Sequence, residues 1–241
     1  MKYRFSVLGR DFSISGGLWM GSLLIALLWV SPVMGQDMIR LDNHTKTYPE
    51  NEAIPDWDDK KISPLFGSGD KFYFRFVHKS DQEHYLHLAS GDDNSFSVGS
   101  TMAFEVPQYP ILEWEWKITK LPKGGDVRIE DKDDQAGSMC LVVDPGLTGF
   151  DSLCYVWENK GPKNTPITSS KRDASKYIIL RTPGDDQLGK WYKEKRNIHE
   201  DYKILFGKEP DDKAVIGVQI DSDDTESSGE AFYRNIILRK R

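Results

Sequence analysis

The sequence predicts a mostly β protein: an antiparallel β-sandwich, jelly-roll-like in outline, with one amphipathic helix. Three observations predict it. Nine short apolar runs, rich in β-branched and aromatic residues, follow one another between turns containing Gly, Asp and Pro, which is the composition and punctuation of strands. One run, 111–119, alternates strictly: Leu112, Trp114, Trp116 and Ile118 fall on one face, Glu113, Glu115 and Lys117 on the other. That period of two is what a half-buried strand requires. Apolar residues at helical spacing occur in one stretch, 188–206. Many strands and one helix point to two packed sheets.

The composition agrees. Of 241 residues, 38% are hydrophobic and 12% aromatic, enough for a real core and too apolar for a disordered chain. Charged residues make up 29%, which excludes a membrane-embedded bundle. Acidic side chains number 38 against 32 basic, a net charge of −6. No nucleic-acid partner is expected, because that needs a basic face for the phosphates.

Taken in order, residues 1–35 read as a signal peptide. Lys2, Arg4 and Arg10 precede an apolar stretch over 16–34, Ser31 and Pro32 break it, and Val33 and Gly35 stand at the −3 and −1 positions before Gln36. Basic start, apolar middle and small-residue exit form a secretory signal, so the protein is expected to be exported, either periplasmic or secreted. The alternative is an uncleaved anchor, whose apolar run sits at the lower limit of the roughly 20 residues a spanning helix needs. Membrane contact would come only through that segment. Cleavage removes three basic groups and Asp11, leaving a product of 206 residues with net charge −8.

Residues 36–61 are polar and contain Pro49 and Pro55, which suggests a loosely ordered lead-in. Residues 62–241 form the single sandwich domain. Its expected strands are 72–78, 85–89, 95–98, 111–119, 138–144, 152–158, 177–181, 214–221 and 231–240. In 214–221, Ala214, Ile216, Val218 and Ile220 make an inward face, with Val215, Gly217, Gln219 and Asp221 opposite. The helix expected over 188–206 rests on Leu188, Trp191, Ile198, Tyr202 and Leu205, with Asp185 or Asp186 as cap and Gly207 and Pro210 as stop.

Cys140 and Cys154 flank a turn over 144–149 and lie on a hairpin that can bring them opposite each other. In an oxidising compartment they are expected to form a disulfide; the alternative is two buried free thiols.

Glu113 and Glu115 share a strand face, as glycosidic acid/base pairs can. The third position of an acid triplet is Lys117, so a salt-bridged or solvated face is the simpler reading. The turn Asp221-Ser222-Asp223-Asp224-Thr225 could hold a structural calcium, a hard cation, with help from Asp126, Asp131, Asp133 or Asp134. A capped turn or an ion pair with Arg196 is the alternative. No metal site of the zinc type is expected, and no cofactor, since neither a phosphate loop nor a dinucleotide fingerprint occurs. His84 and His87 lie three apart and fall on opposite strand faces. Trp157 and Tyr155 share a face and could stack on a sugar ring; the alternative is core packing.

Several motifs then occur in a fixed order. They are Leu112-Glu113-Trp114-Glu115-Trp116-Lys117, then Leu121-Pro122-Lys123-Gly124-Gly125-Asp126, Asp133-Asp134-Gln135-Ala136 and Leu153-Cys154-Tyr155-Val156-Trp157. Trp191, Arg196-Asn197, Asp201-Tyr202, the acidic turn with Asp223 and Thr225, and Ala231-Phe232-Tyr233 follow. This order resembles a bacterial family known as domain of unknown function 3047. The resemblance covers about 72–238 and marks Trp114, Trp116, Asp133, Asp134, Arg196, Asn197, Asp223 and Thr225 as family positions. The family carries no assigned activity, so the resemblance supplies no catalytic residue. The outline also looks like jelly-roll carbohydrate-binding modules.

The leading expectation is a non-catalytic binder of a glycan or another cell-envelope component, using Glu115, Lys117, Tyr155, Trp157, Gln219 and Asp221. The alternatives are a glycan-active hydrolase or lyase using Glu113, Glu115 or the Asp133/Asp134 pair, and a structural envelope protein. Expressed in a Gram-negative host, the chain should yield a product whose N-terminal sequencing begins at Gln36; an intact Met1 terminus in the membrane fraction would identify the anchor instead.

Overall fold

The computed structural model describes residues 4–7, 10–13, 36–58, 72–91, 95–146, 149–210 and 213–241. The apolar stretch 16–34 of the expected signal peptide lies outside them. Within the first 35 residues, β1 (Arg4–Val7) and β2 (Arg10–Ser13) pair as an antiparallel hairpin.

Residues 36–241 form a separate compact unit. Its elements are β3 (Met38–Arg40), β4 (Trp57–Asp58), β5 (Phe72–Ser80), β6 (Glu83–Ser90), β7 (Ser95–Ser100), β8 (Ile111–Lys120), β9 (Gly137–Gly146), β10 (Gly149–Trp157), β11 (Pro166–Thr168), β12 (Ser175–Arg181), β13 (Tyr192–Asn197), α1 (Ile198–Phe206), β14 (Ala214–Asp221) and β15 (Glu230–Arg239). One sheet runs β11-β12-β10-β9-β14-β7-β4; the other runs β13-β8-β15-β6-β5, with β3 beside β15. Neighbours pair antiparallel except β10 with β12. All nine expected runs fall on strands, and the β-sandwich stands, with one α-helix among the described residues.

The alternation of β8 creates the core. Trp114 and Trp116 point inward from one sheet and meet Tyr155 and Trp157 from β10 of the other, at ring separations of 5.4 and 5.7 Å. Ala214, Ile216, Val218 and Ile220 of β14 join the same cluster. Each such aromatic removes some 150–250 Å² from water, so this layer dominates the sandwich.

Several expectations are corrected. The stretch 188–206 is half strand: β13 pairs with β8 from Tyr192 to Asn197, and α1 begins only at Ile198. Between Trp191 and Ile198 the residues alternate in exposure as an edge strand does, and the helical spacing across them is coincidental. Asn197 caps α1 by accepting from the Glu200 N–H, and Gly207 closes it in the left-handed region at φ 68°. Asp186, the expected cap, instead takes Lys163 and Arg181. Arg196 pairs with Asp201 of α1, not with the acidic turn, and Asp201 also accepts the Tyr155 hydroxyl.

The lead-in is ordered over 36–58. Leu41, Tyr48, Ile54 and Trp57 are buried, too far apart in sequence to show a period. Asp42, 1% exposed, accepts from the backbone N–H groups of Asn235 and Ile236 and from Arg40 Nε. A buried carboxylate with that many donors fastens the lead-in to β15.

Cys140 and Cys154 stand opposite each other on the β9–β10 hairpin and are joined as a disulfide. The bond faces away from the main core, beside Val127, Val156 and Ile179. Replacing both with Ser should cost about 3 kcal/mol, the value for a loop of this size, read as a lower urea midpoint than the oxidised wild type.

Candidate functional site

The structure sorts the expected site residues into three places. Tyr155 and Trp157 are in the core at 0% exposure, which corrects the reading of them as an exposed stacking face. The face they share is the inner one, because β10 lies in the middle of the seven-stranded sheet and opposes the tryptophans of β8. Glu115 and Lys117 lie on the outer face of the six-stranded sheet. Gln219 and Asp221 lie on the outer face of the seven-stranded sheet.

Around Lys117 the strand register builds a row across five strands. Trp191, just before β13, stands beside Lys117 of β8; Lys117 is opposite Phe232 of β15, Phe232 opposite His87 of β6, and His87 opposite Arg75 of β5. Lys117 Nζ lies 4.1 Å from the Phe232 ring centre and 5.2 Å from that of Trp191. Phe232 stacks on His87 at 4.2 Å, and Tyr85 packs edge-on to Phe232 at 5.5 Å. Trp191, Tyr85, Phe232 and Tyr73 are all half-buried, with a side open to solvent.

The flanking charges are fixed. Glu115 holds Arg234 at 2.7 Å and the Asn235 side-chain amide at 2.9 Å, while Arg234 lies over the Trp191 ring. Glu113 pairs with Arg239 and Lys195. Burial pushes its carboxyl up, but those two partners outweigh burial and leave it below its ordinary value. Both glutamates are therefore the salt-bridged face expected of a failed acid triplet. Among the described residues, no carboxylate lies within ion-pair distance of Lys117, and burial lowers its pKa. Trp191, Tyr85, Phe232 and Arg234 were not anticipated; the signal for Phe232 and Arg234 was the face of 231–240 opposite Ala231 and Tyr233.

The other outer face carries a cavity of about 240 Å³ whose walls include Asp133, Asp221, Gln219, Tyr177, Lys171 and Arg172. Gln219 Nε2 donates to Asp221, and Gln135 Nε2 to Asp133 at 2.7 Å. Asp133 is 3% exposed, and its burial raises its pKa to about 7 against the pull of Gln135 and Lys171. Asp221 is raised well above the ordinary range by burial and by the adjoining Asp223 carboxyl.

Asp134, a family position outside the cavity wall, and Asp224 of the acidic turn have structural work. Asp134 accepts from the N–H groups of Asp224 and Thr225 and from the Thr225 hydroxyl. Asp224 accepts from Lys171 and from the Asp133 N–H. Asp134, Asp223 and Asp224 oxygens gather within 4.8 Å of one another, yet the Asp134 and Asp224 carboxylates already have donors. The acidic turn is thus a capped turn whose Asp134, Asp223 and Asp224 oxygens also stand close enough together to meet one cation. His84 and His87 bond on opposite faces, to Asp42 and Glu230.

Residues 66–237 match the family described as Protein of unknown function (DUF3047). The chain belongs to this family. No curated protein matches it. Among solved structures, it is similar to a family 30 carbohydrate-binding module of a Clostridium thermocellum cellulosomal cellulase, at 11% identity and TM-score 0.42, covering 85% of this chain and 98% of that one. It is also similar to a family 11 module from Clostridium thermocellum, at 10% identity and TM-score 0.39, covering 81% and 95%. A family GH12 endoglucanase 3 from Trichoderma harzianum gives 8% identity and TM-score 0.40, covering 81% and 97%.

In this DUF3047 member Asp133 makes stability fall with rising pH. Its native pKa, about 7, lies above that of an unfolded Asp near 3.9. The native state therefore keeps a proton that the unfolded chain has lost, and stability declines as pH rises through that window. Asp133→Asn keeps the acceptor for Gln135 and removes the titration. Urea unfolding should show a flatter pH profile for the variant, with a gain over wild type on the order of 3–4 kcal/mol at pH about 8.

Proposed function

We propose that this protein is an exported, non-catalytic β-sandwich that binds a cell-envelope glycan on the outer face of its six-stranded sheet. The observation that carries this reading is the register-aligned row of Trp191, Lys117, Phe232 and His87, with Tyr85 alongside. Half-exposed aromatic rings on a sheet face offer apolar area to the C–H faces of sugars, and adjacent charged and amide groups can bind their hydroxyls. Glu115, Asn235 and Arg234 are held by one another before any ligand arrives, which lowers the ordering cost of binding.

Export is supported by the basic and apolar pattern of residues 1–35 and by a disulfide of the kind that persists in oxidising compartments. The non-catalytic reading is supported by the state of three of the four acids that could serve glycosidic chemistry. Glu113 and Glu115 are ion-paired, and Asp134 is spent on the turn after β14.

A glycan array followed by titration with the best envelope polysaccharide tests the reading. Trp191→Ala should weaken binding at least tenfold, about 1.4 kcal/mol, with the unfolding midpoint unchanged. Lys117→Ala should weaken it several-fold. Binding that ignores both substitutions, or none to any envelope polysaccharide, would leave the structural reading in its place; release of soluble sugar would establish the enzymatic one.

A further inference from the structure

Two cations on the outer face of the six-stranded sheet lack a counter-ion. Among the described residues, neither Lys117 nor Arg75 has a carboxylate within ion-pair distance or an acceptor for its hydrogen bonds, and Arg75 Nε is buried without one. Both side chains are half-buried, and Lys117 Nζ and the Arg75 Nη nitrogens reach solvent. Each lies against rings instead: Lys117 over Phe232 and Trp191, Arg75 over Tyr73 at 5.2 Å. The register puts Phe232 and His87 between them, so their backbones stand roughly 14 Å apart, three strand spacings.

The other charges of this face are taken. Glu115 holds Arg234. Glu230, in electrostatic range of Lys117, is bound to His87 and to the Thr119 hydroxyl. The molecule as a whole is acidic, with 38 acidic against 32 basic side chains. It therefore repels a polyanion overall, and an anion gains only where cations stand without partners. A neutral sugar laid on this row would cover Lys117 and Arg75 and supply neither with a counter-charge, which leaves their desolvation unrepaid.

We propose that the glycan bound on this face is an acidic one, a polysaccharide of uronic acids that places one carboxylate at Lys117 and another, further along its chain, at Arg75. This rests on the glycan reading of the face and narrows its ligand class. A uronate carboxylate is bonded directly to the sugar ring, so a ring lying on Phe232 or Trp191 keeps its charge beside Lys117. Arg75 offers a planar fork that matches a carboxylate. The two cations flank the aromatic row, so a chain engages both and a single sugar acid only one.

Isothermal titration of the disulfide-intact protein with polygalacturonate and with alginate, each beside its carboxyl-reduced counterpart, tests this. Reduction keeps the linkages and turns every carboxylate into a neutral hydroxymethyl group. At least one uronate polymer should bind about tenfold tighter than its reduced form, the gain of one charge-assisted hydrogen bond, and tighter than its own monomer. Added salt should weaken the charged polymer and spare the reduced one. Lys117→Gln and Arg75→Gln should each shrink the preference several-fold. The proposal is overturned if neither uronate polymer binds, if a reduced polymer binds as well as its parent, if dextran sulfate binds as well as either, or if both folded variants keep the full preference. The polymer comparison on wild type stands even where a variant fails to fold. Equal binding of a reduced polymer overturns this inference and leaves the glycan reading in place; binding to no polysaccharide, charged or neutral, removes both.

Discussion

The packing of Trp114 and Trp116 against Tyr155 and Trp157, one pair tilted and the other edge-to-face, is the contact on which the rest of the molecule depends. Four large rings from two central strands fill the gap between the sheets, and sheets pack face to face about 10 Å apart. Because side chains alternate along a strand, fixing these four inward fixes their neighbours outward. Glu115 and Lys117 reach one outer face for that reason, and Cys140 and Cys154 reach the other as partners across β9 and β10.

Three carboxylates, two of them buried and one half-buried, then hold the periphery to that core. Asp42 fastens the lead-in to β15, Asp134 closes the turn after β14, and Asp201 ties α1 to Tyr155 and Arg196. Each accepts two or more hydrogen bonds, the arrangement that makes a buried carboxylate tolerable. These acids stabilise loops and edges, so their clustering is not evidence of chemistry. Asp133 and Asp221 differ: their environments raise them, and both line a cavity.

The strands were legible because each carries its own local signal, and 214–221 matches β14 residue for residue. The lead-in was not legible, because Leu41, Ile54 and Trp57 bury singly and show no period. The helix over 188–206 was over-read for a related reason. Spacing alone cannot separate an edge strand followed by a helix from one longer helix when the intervening residues are charged. For the site, alternation correctly separated the two faces of 152–158 but could not say which was inner. That depends on the facing sheet, a tertiary fact. Thus the pattern leaves Trp157 and Tyr155 readable as surface residues, while Trp191 and Phe232, the aromatics that do reach the surface, read as part of the expected helix and the last strand.

If the proposed glycan binding holds, the charges along β8 single out one residue of that strand as its centre. Glu113 and Glu115 have basic partners from β13 and β15, Lys195 with Arg239 and then Arg234. Lys117 meets aromatic rings instead, Phe232 on β15 and Trp191 beside β13. A cation over ring faces is attracted by their quadrupole, but it keeps ammonium donors that no carboxylate among the described residues pairs with. Two of the three charges have already spent their hydrogen bonds on the fold. The third is desolvated, flanked by flat apolar surface, and able to gain from an incoming acceptor. A sugar hydroxyl or carboxylate placed there would bring its ring over Trp191 or Phe232 in the same step, so polar recognition and stacking would act on one ligand at one place.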